Sequence, residues 1–135
     1  MSSAIGCAQI ERVEELISRK REIFSYYRER LTIYPSLTLN PERAGTVIGA
    51  WMPTVVFDPE TGVTREKLQA AFVAENIDAR VFFHPLSSLP MFEERLQNEL
   101  SMSIPRSAIN LPSFHDISPS EQSRVVDVIE RLTND

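Results

Sequence analysis

Residues 79–92 decide how this chain is interpreted, and they read Ala79-Arg80-Val81-Phe82-Phe83-His84-Pro85-Leu86-Ser87-Ser88-Leu89-Pro90-Met91-Phe92. The stretch opens with β-branched and aromatic residues, which are typical of a buried strand. It continues into a turn that is bracketed by prolines and carries a histidine and two serines. Because a strand that ends in a loop can hold polar groups on a rigid scaffold, we expect the functional edge of the protein here.

The composition limits the class of protein. The chain has 135 residues, 42% apolar and 24% charged, which is ordinary for one globular domain over residues 1–135. Nineteen acidic and fourteen basic side chains give a net charge of −5, which argues against a general nucleic-acid binder because such a protein needs a basic face. The sequence shows no apolar run of membrane-spanning length and no export signal. We expect a cytoplasmic protein with no membrane partner.

The first third of the chain predicts a long helix, a loop and strands. Apolar residues spaced three and four apart over residues 3–31 predict one amphipathic helix, with Cys7 packed as an inert thiol on its apolar stripe. Because this helix begins among apolar residues, we expect the chain to derive from a larger protein. Residues 34–46 predict a loop. Residues 46–57 predict a strand pair, or one strand broken near Pro53.

The remaining elements alternate between helix and strand. Thr64 is predicted to cap a helix that ends near Asn76. Residues 92–100 predict a short helix, and residues 107–112 predict a third strand that is ended by Pro112.

The last helix has the clearest start signal. Ser118, Pro119 and Glu121 match a capping box with proline in the first turn, followed by an apolar helical stripe. Together the elements predict an α+β fold: a small, mostly antiparallel sheet with helices packed on one face and a long N-terminal helix.

The two histidines do not form a metal site by spacing. For His84, a ligand role and a simple hydrogen bond to a nearby carbonyl are equally compatible with the sequence. His115 is predicted to be a surface loop residue. No cysteine pair, HExxH motif or carboxylate cluster accompanies them.

The other polar residues leave alternatives open. Arg80 is compatible with a plain exposed arginine or with a clamp for an anion. Ser87 and Ser88 are compatible with turn formation or with hydroxyl donation to a substrate. Lys20 and Lys67, the only lysines, lie in patterns typical of solvated helix faces, which argues against a Schiff-base role for either. These residues do not form a recognisable set of catalytic groups within the chain.

Three separated stretches resemble one enzyme family. They are residues 3–12, the turn of residues 79–92, and residues 108–113 ahead of the capping box. In order and spacing they are similar to the C-terminal portion of DegT/StrS-type nucleotide-sugar aminotransferases. The middle stretch is particularly similar to the perosamine-synthase-like branch.

The resemblance implies the small C-terminal domain of a fold-type I enzyme that depends on pyridoxal phosphate. Such an enzyme takes an amino group from glutamate and converts a 4-keto-6-deoxy nucleotide sugar, of the kind used for lipopolysaccharide O-antigen, into its 4-amino sugar. In the family, the lysine and other residues that hold the cofactor lie in a large domain that is missing from this sequence. We therefore expect the cofactor and a homodimer in the parent enzyme, and no cofactor and no catalysis in this chain alone.

The resemblance also implies where the substrate binds. Arg80, Phe83, His84 and Ser87 match positions that border the sugar-nucleotide pocket, and His84 stands where close relatives often have tyrosine. Two other functions remain open. One is a sugar 3-dehydratase of the same fold, in which a histidine outside this chain replaces the Schiff-base lysine. The other is a non-catalytic interaction module.

Overall fold

The structure is a computed structural model that describes residues 2–93 and 97–134. Within these ranges it contains five α-helices, four β-strands and three short 3₁₀ turns. The helices are α1 Ser2–Glu11, α2 Val13–Leu31, α3 Arg65–Ala74, α4 Glu99–Ser103 and α5 Pro119–Asn134. The strands are β1 Leu37–Leu39, β2 Thr54–Phe57, β3 Arg80–Val81 and β4 Ala108–Asn110, and the turns are Pro59–Thr61, Leu86–Ser88 and Ile104–Arg106.

The strands form one antiparallel sheet in the order β1-β2-β4-β3. One row of paired residues crosses it, from Leu39 to Val55, Ile109 and Val81. Val55 and Ile109, on the two central strands, are fully buried. The side chains of β1 alternate between buried and exposed, as expected where one face of a sheet is packed and the other meets solvent. The predicted α+β class with an antiparallel sheet is confirmed.

The core lies between this sheet and three helices. Each helix buries residues spaced three or four apart, which places them on one face. They are Ile23, Phe24, Tyr27 and Leu31 of α2, Leu68 and Phe72 of α3, and Val125, Val126, Val128 and Ile129 of α5. The hydroxyl of Tyr27 donates to the carbonyl oxygen of Pro112 at 2.8 Å, and burial raises its pKa.

Both predicted helix caps are confirmed. The backbone N–H of Ser118 donates to Oε2 of Glu121 at 2.8 Å, and the N–H of Glu121 donates to Oγ of Ser118 at 3.2 Å. Oγ1 of Thr64 accepts from the N–H of Lys67 at 3.3 Å. Helix α3 ends at Ala74, and Asn76 has a φ of 54°, so the chain turns away where the sequence predicted.

The prediction of a single long N-terminal helix is wrong. Arg12 leaves helical geometry, with φ −111° and ψ 7°, and separates α1 from α2. The predicted burial of Cys7 is also wrong, because every described side chain from residue 3 to residue 15 is exposed. The apolar residues of α1 are spread around the helix instead of lining one face, and no described element covers them, although a helix draws most of its stability from such packing.

The strand predictions need correction around Pro53. Residues 46–53 form no strand, and only Thr54–Phe57 joins the sheet. Val47 is 82% exposed and Ala50 has a φ of 50°, so this segment is irregular despite its β-branched composition. Strand β1 lies within the segment that the sequence predicts as a loop. Its three residues are too few to show the alternation typical of a strand, so the sequence does not reveal it.

The predicted elements after residue 79 are shorter than expected. The strand is limited to Arg80–Val81 at the edge of the sheet, and the two phenylalanines that follow are not buried. The third strand is confirmed as β4. Of the helix predicted over residues 92–100, residues 94–96 lie outside the described part of the chain. Phe92 and Glu93 are not helical, and α4 begins only at Glu99.

The capping box yields the first prediction. Ser118→Ala should destabilise the fold by ~1 kcal/mol, because the N–H of Glu121 loses its acceptor. Hydrogen bonds from Ser118 lower the pKa of Glu121, so its carboxylate stabilises the fold above the ordinary glutamate pKa of about 4.3. That contribution is lost as the pH falls through the lowered folded-state pKa. Glu121→Gln should therefore be less stable than the parent chain at pH 7, with the gap closing in acid.

Urea unfolding of these variants over a pH series measures the effect. Glu29→Gln is the control, since the Glu29 side chain makes no hydrogen bond or ion pair with the described residues. A gap between Glu121→Gln and the parent that keeps its size below pH 4 would contradict this assignment.

Candidate functional site

The turn that follows β3 is built by its own backbone and by Ser88. The N–H and the hydroxyl of Ser88 both donate to the carbonyl oxygen of Pro85, at 3.0 and 2.7 Å. Ser88 is therefore a turn former. The half-buried side chain of Ser87 makes no hydrogen bond with the described residues.

Arg65 ties this turn to helix α3. From the first residue of the helix, its Nη1 donates to the carbonyl oxygen of Phe82 at 3.1 Å. Its Nη2 lies 3.1 Å from Nε2 of His84. Because a guanidinium only donates, Nε2 of His84 is the acceptor in this contact, and the ring proton belongs on Nδ1. The donation to a nearby carbonyl that was one of the two alternatives for His84 is not found among the described residues, because its Nε2 accepts from the Arg65 side chain instead.

A cavity of about 420 Å³ lies beside the turn, and we call it the turn cavity. Its lining includes Arg65, His84, Pro85, Met102, Pro105 and Arg106. It brings together the start of α3, the turn after β3 and the segment that leads into β4. Arg65 and Arg106 have no distinctive sequence signal, so sequence reasoning missed both.

The four residues predicted to bind substrate do not all meet at this cavity. His84 lines it, whereas Phe83 and Ser87 do not. Phe83 is 58% exposed and packs edge-on against Phe82, with ring centroids 5.8 Å apart. Arg80 is exposed, and its Nη2 donates to Oδ2 of Asp78 at 2.9 Å. Arg80 lines a second cavity.

The second cavity, of about 550 Å³, lies between the end of α3, the loop after β4 and the start of α5. It is walled by Ile77, Leu111, Ile117 and Val125, with Trp51 and Phe114 more exposed. Asn110 is 5% exposed, and its Oδ1 accepts from Oγ1 of Thr54 at 2.8 Å. The nearby charges are engaged within the fold, since Nη2 of Arg124 donates to the carbonyl oxygen of Glu75 at 2.7 Å.

Two cations of α2 hold the loop that lines the second cavity. Arg19 donates to the carbonyl oxygens of His115 and Ile117, at 2.9 and 2.7 Å. Nζ of Lys20 donates to the carbonyl oxygen of Ser113. Lys20 is half-buried, so the predicted solvated position is wrong for this residue. His115 is exposed in the loop, as predicted.

Two further site types are not found in residues 2–93 and 97–134. No group of three or more histidine, cysteine, aspartate or glutamate side chains there is arranged to hold a metal ion. Likewise, none of the helices in these ranges combines the length and apolarity needed to cross a membrane.

Comparison with known proteins decides the family. The profile of the DegT/DnrJ/EryC1/StrS aminotransferase family matches residues 1–130. The chain belongs to this family. The resemblance found in the sequence is thus confirmed.

Individual members of the family give the extent of the likeness. GDP-perosamine synthase of Vibrio cholerae is 33% identical over 137 residues, which cover 99% of this chain and 37% of that protein. GDP-perosamine synthase of Escherichia coli O157:H7 is 28% identical over 134 residues, which cover 98% of this chain and 36% of that protein. The chain spans about a third of the length of the curated relatives it matches.

Solved structures share the fold. The structure of DesI in the presence of its TDP-sugar product matches with a TM-score of 0.84 and 20% identity, covering 96% of this chain and 34% of that one. The Escherichia coli GDP-4-keto-6-deoxy-D-mannose-3-dehydratase with bound hydrated PLP matches with a TM-score of 0.77 and 18% identity, covering 95% and 34%. At these identities the likeness shows the fold alone.

The clamp formed by Arg65 is testable. Arg65→Met removes both the contact to Phe82 and the contact to His84, while the Thr64 cap keeps α3 in place. We expect the backbone order parameters of residues 82–84 and 86–88 to fall from about 0.85 towards about 0.6, measured by ¹⁵N relaxation. Lys67→Met is the matched control, because among the described residues Nζ of Lys67 donates to the carbonyl oxygen of Gly62 alone. Unchanged order parameters in Arg65→Met would show that the turn keeps its conformation without the Arg65 contacts.

Proposed function

We propose that this chain is the small C-terminal domain of an aminotransferase that makes a 4-amino nucleotide sugar from a 4-keto-6-deoxy sugar, with glutamate as amino donor. The match of the family profile to residues 1–130 carries the proposal. Two relatives are GDP-perosamine synthases, and DesI was solved with a TDP-sugar product, which supports a nucleotide sugar as substrate. A role in O-antigen synthesis in the cytoplasm belongs to the same proposal.

The parent enzyme is proposed to use pyridoxal phosphate, which supplies the electron sink for moving an amino group. This chain does not fit the cofactor. Its two lysine ammonium groups are engaged with backbone carbonyl oxygens, Lys20 with Ser113 and Lys67 with Gly62. Neither lysine is among the residues that line the turn cavity or the second cavity. We therefore assign the cofactor to the part of the parent that this chain does not span, and predict that the chain alone is inactive.

We propose that this chain contributes to one wall of the nucleotide-sugar pocket. His84, held by Arg65, presents an exposed ring with its Nδ1 proton free for an acceptor on the substrate. Phe83 offers an exposed aromatic face beside it, and Ser87 an uncommitted hydroxyl. Arg80 contributes a guanidinium from the edge strand, where its described ion pair is an exposed one with Asp78.

We propose that the parent enzyme is a homodimer and that α1 packs against other parts of that enzyme. Ile5 and Ile10 are 61% and 71% exposed. Because these side chains lie on different sides of α1, the helix is apolar around its circumference, which is typical of a helix that other protein surrounds.

A sugar 3-dehydratase is the second candidate, because a 3-dehydratase shares this fold and the fold does not by itself separate the two activities. The two activities differ in the residue that holds the cofactor, lysine or histidine, and that position is outside this chain. They also differ in product, because only the aminotransferase transfers nitrogen to the sugar.

Steady-state kinetics of the longer parent enzyme test the proposal. With a GDP-4-keto-6-deoxy sugar and glutamate, we expect an amino sugar as product. His84→Ala should raise KM for the nucleotide sugar about tenfold, a loss of ~1.4 kcal/mol in binding, with a smaller change in kcat. His115→Ala, in an exposed loop, is the matched control and should keep the parent KM.

Two results would contradict the proposal. A deoxy sugar product without nitrogen would identify the dehydratase. An unchanged KM in His84→Ala would remove His84 from the substrate pocket.

A further inference from the structure

The turn cavity has an excess of positive charge, although the chain carries a net charge of −5. Two arginines, Arg65 and Arg106, line it, and the carboxylate among its lining residues is Glu66. Hydrogen bonds from its own backbone N–H and from the Thr64 hydroxyl lower the pKa of Glu66. The nearby charge of Arg65 lowers the pKa of Glu66 as well, so the two arginines and Glu66 together leave one net positive charge at the cavity.

The donors around the cavity are largely uncommitted. Arg106 is exposed and makes no hydrogen bond or ion pair with the described residues. Arg65 has five N–H donors and uses two of its nitrogens, Nη1 for Phe82 and Nη2 for His84. The contact with Arg65 leaves the Nδ1 proton of His84 as a third donor. Donors from three separate segments of the chain thus surround one space.

The remaining walls are apolar. Pro85, Met102 and Pro105 line the cavity without offering side-chain hydrogen bonds. A volume of about 420 Å³ lies within the range of roughly 300–1,000 Å³ that is usual for small-molecule sites. A compact anion attached to a less polar body would satisfy both parts of this lining.

We propose that the turn cavity binds the diphosphate of the nucleotide sugar, with Arg65 and Arg106 donating to phosphate oxygens and His84 donating from Nδ1. The planar guanidinium presents two parallel N–H donors that match a phosphate group. This inference rests on the function proposed above, and it adds two arginines that the family resemblance did not point to. Inorganic phosphate and the phosphate of pyridoxal phosphate share the same chemistry, so the test includes both.

The test is an NMR titration of the ¹⁵N-labelled chain with GDP, and separately with guanosine, inorganic phosphate and pyridoxal phosphate. We expect GDP to shift the Nε–H signals of Arg65 and Arg106, and the amide signals of His84 and residues 86–88, more strongly than guanosine. Arg106→Gln should weaken GDP binding about tenfold, because a charge-assisted contact is lost. Its side chain supports no described contact, so the rest of the spectrum should be unchanged.

Arg43→Gln is the matched control. Arg43 is exposed, lines neither described cavity and gives the same change in net charge. It should bind GDP as the parent chain does.

Four results would overturn the inference. These are equal GDP affinity in Arg106→Gln and the parent chain, equal binding of guanosine and GDP, tighter binding of pyridoxal phosphate or inorganic phosphate than of GDP, and no arginine shift at about 10 mM GDP. The readout is independent of turnover. A GDP site in this chain with no amino sugar made by the parent enzyme would refute the proposed function alone, and the reverse pattern would refute the diphosphate site alone.

Discussion

The pairing of β2 with β4 beneath helices α2 and α5 is the constraint on which the rest of the structure depends. Val55, Phe57 and Ile109 in these strands are fully buried, and the two strands are about fifty residues apart in the sequence. Their buried polar groups are satisfied across the pair. Oγ of Ser107 donates to the carbonyl oxygen of Phe57 at 2.9 Å, and Oγ1 of Thr54 donates to Oδ1 of Asn110. A polar group left unpaired in this layer would cost about 1–3 kcal/mol.

The candidate site follows from where this central pair ends. Strand β3 adds only two residues to the free edge of β4, and the chain then leaves the sheet into the turn. Helix α3 contacts both β3 and β4, which brings its first residue, Arg65, alongside the turn. A short edge strand leaves the turn without the support of a ladder, and the Arg65 guanidinium supplies that support through Phe82 and His84. The site is thus positioned by a rigid core and fixed by one side chain.

Local signals in the sequence predicted the elements they belong to. The Ser118–Glu121 capping box and the Thr64 cap are confirmed, because a cap is a contact between residues two or three apart. The family was predicted from three short stretches and is confirmed. The α1 segment shows the limit of such reasoning, since the sequence predicts one apolar stripe through α1 and α2, whereas the apolar residues of α1 are spread around the helix and nothing described covers them. Periodicity indicates which residues share a face, and only the three-dimensional arrangement determines whether that face is buried.

Long-range contacts account for what the sequence could not predict. The turn cavity depends on Arg65 and Arg106, which are forty-one positions apart and carry no motif. Strand β1 exists because β2 offers it a partner, not because three residues show a pattern. Arg80 and His84 are only four positions apart in the sequence, yet they line different cavities. The four predicted binding residues therefore remain a proposal that binding measurements must test.

The central claim is that this chain is one domain of a longer sugar aminotransferase. The most direct measurement is the DNA sequence upstream of the codon for Ser2. We predict an open reading frame that continues for about two further domains' worth of residues and encodes a lysine at the cofactor position. A stop codon and a ribosome-binding site immediately upstream would contradict the claim and would favour a free-standing interaction module.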